Sequence, residues 1–288
     1  MAHGIIRAAR RPEGWTPPGP PPLGDQGDPS LLPAEDEDLC LLSGDWRIFQ
    51  KLRGNRWSLD DLVTAWIATR GIDPDAPLRT LDLGCGIGSV LLMVAWRLPR
   101  ANCLGVEAQE VSMSMARRSI RYDGAVERVT VRHGDFRDEA VLTEVGAFDL
   151  VTGTPPYFPP GTGIESEKVQ CAPARFEHRG GVEAYASAAA RALAPKGTFA
   201  MVAGGLEIDR AMAAVTDAGL SLRAVWRVLP KADRAPRIAV VVGAKSPGPT
   251  EDHTLVVRDA DDQWTDAFRL VRREMGLPPD PPRRAGGS

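Results

Sequence analysis

Three glycines at alternate positions constrain this chain more than anything else in it. Residues 80–90 read TLDLGCGIGSV. A short apolar strand over 81–83 runs into Gly84, Gly86 and Gly88, and a helix-type apolar run follows over 90–98. Glycine lets the backbone turn sharply there with no Cβ in the way. A ligand can then lie against bare backbone at the N-terminus of the following helix. The spacing is G-x-G-x-G, and the dinucleotide fingerprint G-x-G-x-x-G would need glycine where Ser89 stands. Asp82, inside the strand end, suits a cationic amino-acid moiety and would repel a pyrophosphate.

About twenty residues on, a second apolar strand over 102–106 ends in Glu107. An acid at that place can accept both hydrogens of a ribose diol. Loop, Asp82 and Glu107 together resemble the S-adenosylmethionine site of the class I methyltransferases. The resemblance implies S-adenosylmethionine as cofactor, held by Asp82, Gly84, Gly86, Gly88 and Glu107. Two other readings of the loop are an NAD-dependent dehydrogenase site and a tight turn with no ligand. Asp82 and the missing third glycine count against the dehydrogenase.

The strand–helix alternation continues beyond Glu107. A helix over 109–122 turns Val111, Met115 and Ile120 inward, with Arg117, Arg118 and Arg121 read as a solvated face. Strands follow at 129–132, 148–152 and 198–203, with helices over 181–193 and 208–218. The apolar stretches 220–229 and 238–244 suit a terminal antiparallel pair, and a further strand and helix fit between 255 and 275. Such alternation predicts an α/β fold with a doubly wound, mostly parallel sheet. Ligands bind these sheets at the C-terminal ends of the strands. Asp82, Glu107, Asp135 and Thr154 all fall at such ends in four consecutive units. In a class I site, Asp135 would accept from the adenine amino group, with Phe136 on the ring or only in the core. His133 reads as a strand-end residue.

The flanks are less regular. Residues 1–37 contain a proline-rich run at 17–22 and the acidic run 35–38, which cannot build a core, so a disordered tail is expected. Residues 38–77 are expected to form a small N-terminal extension, and 78–275 the main domain. Residues 276–288, rich in proline, are expected to fray. Within 45–57, Trp46, Ile48 and Phe49 are interleaved with Arg47, Lys51, Arg53 and Arg56, and Gly54-Asn55 suggests a hairpin turn. Two readings fit. Aromatics and cations together suit stacking on unpaired bases and contact with phosphates, through Arg53, Arg56 and Trp57. The same residues also suit a packed hairpin with its charges in water. Residues 58–61 then read as a capping box, opening an amphipathic helix that ends at Gly71.

Net charge of −3 gives no global bias toward nucleic acid, so any basic surface must be local. Cys40, Cys85, Cys103 and Cys171 are widely spaced with no Cys/His cluster, so neither a metal site nor a disulfide framework is expected. Reduced thiols, with no signal-peptide pattern or membrane-length apolar run, lead to the expectation of a cytoplasmic protein that does not enter a membrane.

The chemistry is expected after the fourth core strand, where Thr154-Pro155-Pro156-Tyr157 stands. Two prolines fix φ, remove two donors and push Thr154 toward an extended conformation. The motif resembles the (Asn/Asp/Ser)-Pro-Pro-(Tyr/Phe) signature of amino-group methyltransferases. That implies Thr154 and the Pro155 carbonyl accepting an amine's hydrogens, Pro156 holding the turn and Tyr157 stacking on a flat substrate. Residues 157–163, then 174–177 with Arg175, then Gly180-Gly181 before a helix, are similar to the bacterial tRNA-valine adenine-N6 methyltransferase family. Residues 50 and 56–60 echo its segment before the first core helix. The resemblance implies a Rossmann-like class I methyltransferase sheet with a small hairpin/helix extension. It also implies RNA, tRNA in particular, as partner, an adenine amine as acceptor, and Arg175 in a loop over the substrate. One position departs: the family has Asn where this chain has Thr154. Three outcomes stay open: a slower enzyme on the same amine, another acceptor such as a protein glutamine, a guanine amine or a small-molecule amine, or a cofactor-binding RNA module without turnover.

Overall fold

The computed structural model describes residues 4–143, 147–156 and 180–280. Strands β1 (Ile5–Ile6), β2 (Glu37–Leu41) and β3 (Arg47–Lys51) form a small sheet of their own. Helix α1 (Leu59–Thr69) follows, with Gly71 in the left-handed region just past its end. The alternating units are β4 (Arg79–Leu83), α2 (Ser89–Arg97), β5 (Asn102–Glu107), α3 (Glu110–Tyr122), β6 (Val129–His133), the short α4 (Glu139–Thr143) and β7 (Phe148–Gly153). They continue as α5 (Val182–Ala192), β8 (Leu193–Gly204), α6 (Ile208–Asp217), β9 (Ser221–Lys231), β10 (Ile238–Ala244), β11 (Glu251–Arg258) and α7 (Asp266–Glu274).

The large sheet has the order β11-β9-β10-β8-β7-β4-β5-β6. Strands β4 to β8 pair in parallel, β10 runs antiparallel to both β8 and β9, and β11 adds an outer strand parallel to β9. The chain reverses its winding between β4 and β7, where a doubly wound sheet opens its ligand crevice. Both faces are covered, so β4 and β10 are buried along nearly their whole length, as uninterrupted apolar strands require. One apolar core joins α1, α2, α3 and α7 to the small sheet; a second packs α5 and α6 with Phe136, Phe148 and Phe199. Among the described residues, no helix is long and apolar enough to cross a membrane.

Three expectations for the flanks are corrected. Residues 4–37 are laid against the domain rather than free. Arg118 donates to the carbonyls of Ser30 and Leu32 and pairs with Glu37 at 2.7 Å, and Arg121 pairs with Asp28 at 2.5 Å. The arginines of α3 are thus anchors for the N-terminal segment rather than only a solvated face. The hairpin closes earlier than Gly54-Asn55: Leu42 N–H donates to the Trp46 carbonyl, and β2 pairs with β3. At the other end, Gly276 N–H donates to the Arg273 carbonyl, the Gly276 carbonyl accepts from Gly44 N–H, and Leu277 is buried, so 276 and 277 are packed.

Candidate functional site

The glycine loop folds as its spacing requires. Gly84, Gly86 and Gly88 have φ of +59°, +57° and +87°, a region that costs an L side chain energy. Cys85 N–H donates to the Val106 carbonyl at 3.0 Å, fastening the loop to β5. A Cβ on Gly84 would stand 2.4 Å from the Tyr185 hydroxyl oxygen, and one on Gly88 would press on Ala116 at 3.2 Å. A Cβ on Gly86 would meet nothing within 4 Å, because this residue faces the opening between loop and strand ends.

That opening is a cleft with about 800 Å³ of empty space, the open solvent at its mouth included. Gly84, Gly86 and Glu107 line it from the β4–β5 side, Asp135 and Phe136 from the end of β6, and Thr154 and Pro156 from the end of β7. Glu107 is only 5% exposed. Its Oε2 accepts from Gly86 N–H at 2.9 Å and its Oε1 from Gln109 N–H at 2.6 Å. Two backbone donors therefore fix this carboxylate in one orientation. A carboxylate oxygen can accept more than one hydrogen bond, so hydroxyls are suitable further donors to this group.

Asp82 is placed differently from expectation. It is buried behind the loop, accepts from the Thr152 hydroxyl at 2.8 Å and does not line the cavity. Burial pushes its carboxyl up to about 7, with the charge of Asp61 adding to the rise. Asp61, from the first turn of α1, lines the cavity instead. Its Oδ1 accepts from Ser89 Oγ at 2.7 Å and its Oδ2 from Ser58 N–H at 2.8 Å. Burial raises Asp61 to about 6, against the lowering effect of these two bonds. The side chain read as a helix cap thus has a second neighbour at the N-terminus of α2.

At the far end, Asp135 is held by Arg137, with Nε at 3.0 Å from Oδ1 and Nη2 at 2.6 Å from Oδ2. Phe136 is buried against Tyr185 of α5, ring centroids 4.5 Å apart. Burial and the charge of Glu107 hold the Tyr185 phenol well above its usual range, so it stays a neutral donor. Gly88 and Pro155 do not line the cavity; Gly88 is the N-cap of α2 and Pro155 is buried behind Thr154. Tyr157 and Arg175 lie outside the described residues, as does most of the segment that carries the finer family resemblance.

The N-terminal residues divide. Arg56 pairs with Asp38 through Nη2 at 2.9 Å, and Arg7 reaches the same carboxylate at 2.8 Å, so Arg56 neutralises a fully buried acid. Trp57 packs on the core, and Trp46, Ile48 and Phe49 are buried, which leaves none of these last three to stack on a base. Arg53 is exposed, two residues from Asn55, which lines the cavity. Sequence reasoning missed Asp61, Ser89, Asn55 and Tyr185 as cavity residues. For Tyr185 the one available signal was a lone aromatic in an alanine-rich helix.

A family model described as a methyltransferase domain matches residues 80–160. A tRNA1(Val) (adenine(37)-N6)-methyltransferase of Tolumonas auensis is 28% identical over 219 residues, 75% of this chain and 87% of that protein. One of the same name from Haemophilus influenzae is 28% identical, covering 68% of this chain and 82% of its own. Among solved structures, a predicted O-methyltransferase from Agrobacterium tumefaciens superposes with a TM-score of 0.58 at 17% identity, covering 76% of this chain and 98% of that one. That last likeness shows the fold alone.

Proposed function

We propose that this chain, whose residues 80–160 match a methyltransferase domain, is a class I, S-adenosylmethionine-dependent enzyme that methylates the exocyclic amine of an adenine in tRNA. The observation that carries this is one of placement. Thr154, which opens the proline motif, faces the same cavity as the Gly84–Gly86 backbone and the fixed Glu107 carboxylate. The relatives that share this chain over most of its length are named for transfer to adenine N6 in a tRNA.

The residues fit the cofactor. Gly86 offers a cradle that a Cβ would fill, Glu107 presents two oriented oxygens to a ribose, and Asp61 offers a carboxylate to an ammonium group. Asp135 and Phe136 take the adenine end, with Arg137 holding Asp135 in place. Asp82 acts from behind, keeping β4 and β7 in register through Thr152. Bound there, S-adenosylmethionine supplies an electrophilic methyl group. The chain's own work is to present the amine. An exocyclic amine conjugated to a ring is a poor nucleophile. Accepting a hydrogen on the hydroxyl of Thr154, which lines the cavity where Pro155 does not, raises electron density on nitrogen and helps aim the lone pair. A base in a loop leaves its stack at low cost, so a single-stranded region is the natural target.

A second reading is favoured by one residue. Threonine at 154 is shorter than asparagine, which suits a different amine or a site that binds cofactor with little turnover. The experiment is transfer of labelled methyl to unfractionated tRNA, to protein and to small amines in parallel. Label in tRNA supports the proposal; label confined to another acceptor, or none anywhere, overturns it.

A further inference from the structure

Leu206 is the outlier of this surface: a large apolar side chain that is 100% exposed. It sits just past β8, in a tight turn closed by Glu207 N–H donating to the Gly204 carbonyl at 2.9 Å. Strand β8 is the immediate neighbour of β7, and Met201 pairs with Gly153, the residue before Thr154. The turn therefore stands one strand away from the candidate acceptor site and about 10 Å further out along the strand direction. It projects from the end of the sheet at which the cavity opens.

The turn is braced by a second loop. Gly205 N–H donates to the Arg237 carbonyl at 2.9 Å, and a Cβ on Gly205 would fall 1.9 Å from the Pro236 carbonyl oxygen. This second loop, between β9 and β10, carries Arg234, whose side chain is 70% exposed, and Arg237, also exposed. Arg234 has a weak pairing with Asp233 at 3.9 Å. The Arg237 side chain has no hydrogen-bond or ion-pair partner among the described residues. Glu207, the acid beside Leu206, is already paired with Arg210 at 3.2 Å.

We propose that Leu206 is a wedge for single-stranded RNA, with Arg237 and Arg234 gripping the phosphates beside it. This rests on the reading that the acceptor is an RNA base. A target base that leaves its stack exposes the faces of its neighbours, and apolar side chains inserted at such a step hold it open. A fully exposed leucine on a hydrogen-bonded turn, one strand from the acceptor site, fits that use. A cation on the adjoining loop with no partner among the described residues fits a phosphate. The charge pattern favours nucleic acid over an apolar protein partner, because among the described residues no other large exposed apolar side chain lies on this turn or on the loop that braces it.

The test compares intact unfractionated tRNA with the same tRNA hydrolysed to short single strands. Leu206→Ala should lower kcat/KM on intact tRNA about tenfold and on fragments less than about twofold, since fragments need little unstacking. Affinity for S-adenosylmethionine should not change. Arg237→Ala should weaken tRNA binding and reduce the salt slope of log affinity by about one. Equal losses for Leu206→Ala on both substrates, or no loss on either, would overturn the wedge. If the unmodified protein neither binds nor methylates tRNA, the acceptor assignment fails and Leu206 loses its role with it. Transfer by the unmodified protein that Leu206→Ala leaves intact rejects the wedge alone.

Discussion

Gly86 and Glu107 are tied to each other across the floor of the cavity: the Gly86 N–H donates to Glu107 Oε2 at 2.9 Å. The glycine loop and the acid at the next strand end are thus one structural unit. Glu107→Ala should remove both the ligand acceptor and a brace of the loop. Loss of a hydrogen bond to a charged group costs about 1.5–3 kcal/mol, so affinity for S-adenosylmethionine should fall between about tenfold and a hundredfold. Calorimetric titration checks this, and an unchanged affinity would remove Glu107 from the site.

The glycines of the loop should not be equivalent. Gly84→Ala meets both a positive φ and the Tyr185 hydroxyl, whereas Gly86→Ala meets a positive φ and open space. Both should lose about 1–2 kcal/mol of stability from the backbone alone. Gly84→Ala should lose more, because Tyr185 must also move. Gly86→Ala should instead lose cofactor affinity out of proportion to its stability. Urea unfolding beside ligand titration separates the two effects.

The two buried acids set a pH dependence. Asp61 is raised to about 6 and Asp82 to about 7 by burial, so between the unfolded value near 3.8 and those values the folded chain holds more protons than the unfolded one. Their contribution to stability is fully present below about 3.8 and is lost as pH rises through about 6 and then about 7. Asp82→Asn should flatten the upper part of that slope in urea unfolding across pH 5 to 8. A ligand ammonium favours ionised Asp61, so binding should release a proton, with affinity about tenfold weaker at pH 5 than at pH 7. Calorimetry in buffers of different ionisation enthalpy measures the proton directly.

Thr154→Asn lengthens the acceptor at the mouth of the site. If Thr154 serves an amine imperfectly, the substitution should raise kcat on tRNA several-fold while leaving S-adenosylmethionine affinity unchanged. Steady-state kinetics with labelled methyl reads this. No gain points to a different acceptor or to a site that does not turn over.

What was legible in the sequence is what local backbone chemistry dictates. Three alternate glycines need left-handed φ, and an acid at the last residue of a parallel strand or just beyond it borders the crevice, so Gly84, Gly86, Glu107 and Asp135 were readable without a structure, whereas Asp82, one residue inside β4, does not line it. Asp61 read only as part of a helix cap, because the packing of α1 against the N-terminus of α2, which brings it to the cavity in place of Asp82, is not local in sequence. Tyr185 comes from an element far along the chain and meets Gly84 only in the folded sheet. The aromatics at 46–49 were ambiguous for a similar reason. Their alternation with arginines fits an RNA surface until the partner strand Glu37–Leu41 and Arg118 of α3 cover them. The segment 4–37 lacks apolar periodicity, and its order comes from side chains of α3 that a local reading cannot assign to it.

The measurement that tests the account most directly is mass spectrometry of nucleosides from tRNA incubated with the purified protein and S-adenosylmethionine. The account expects N6-methyladenosine to appear, and to disappear with Glu107→Ala. Cofactor binding with no new methylated adenosine, or a methyl group on any other nucleoside, would contradict it.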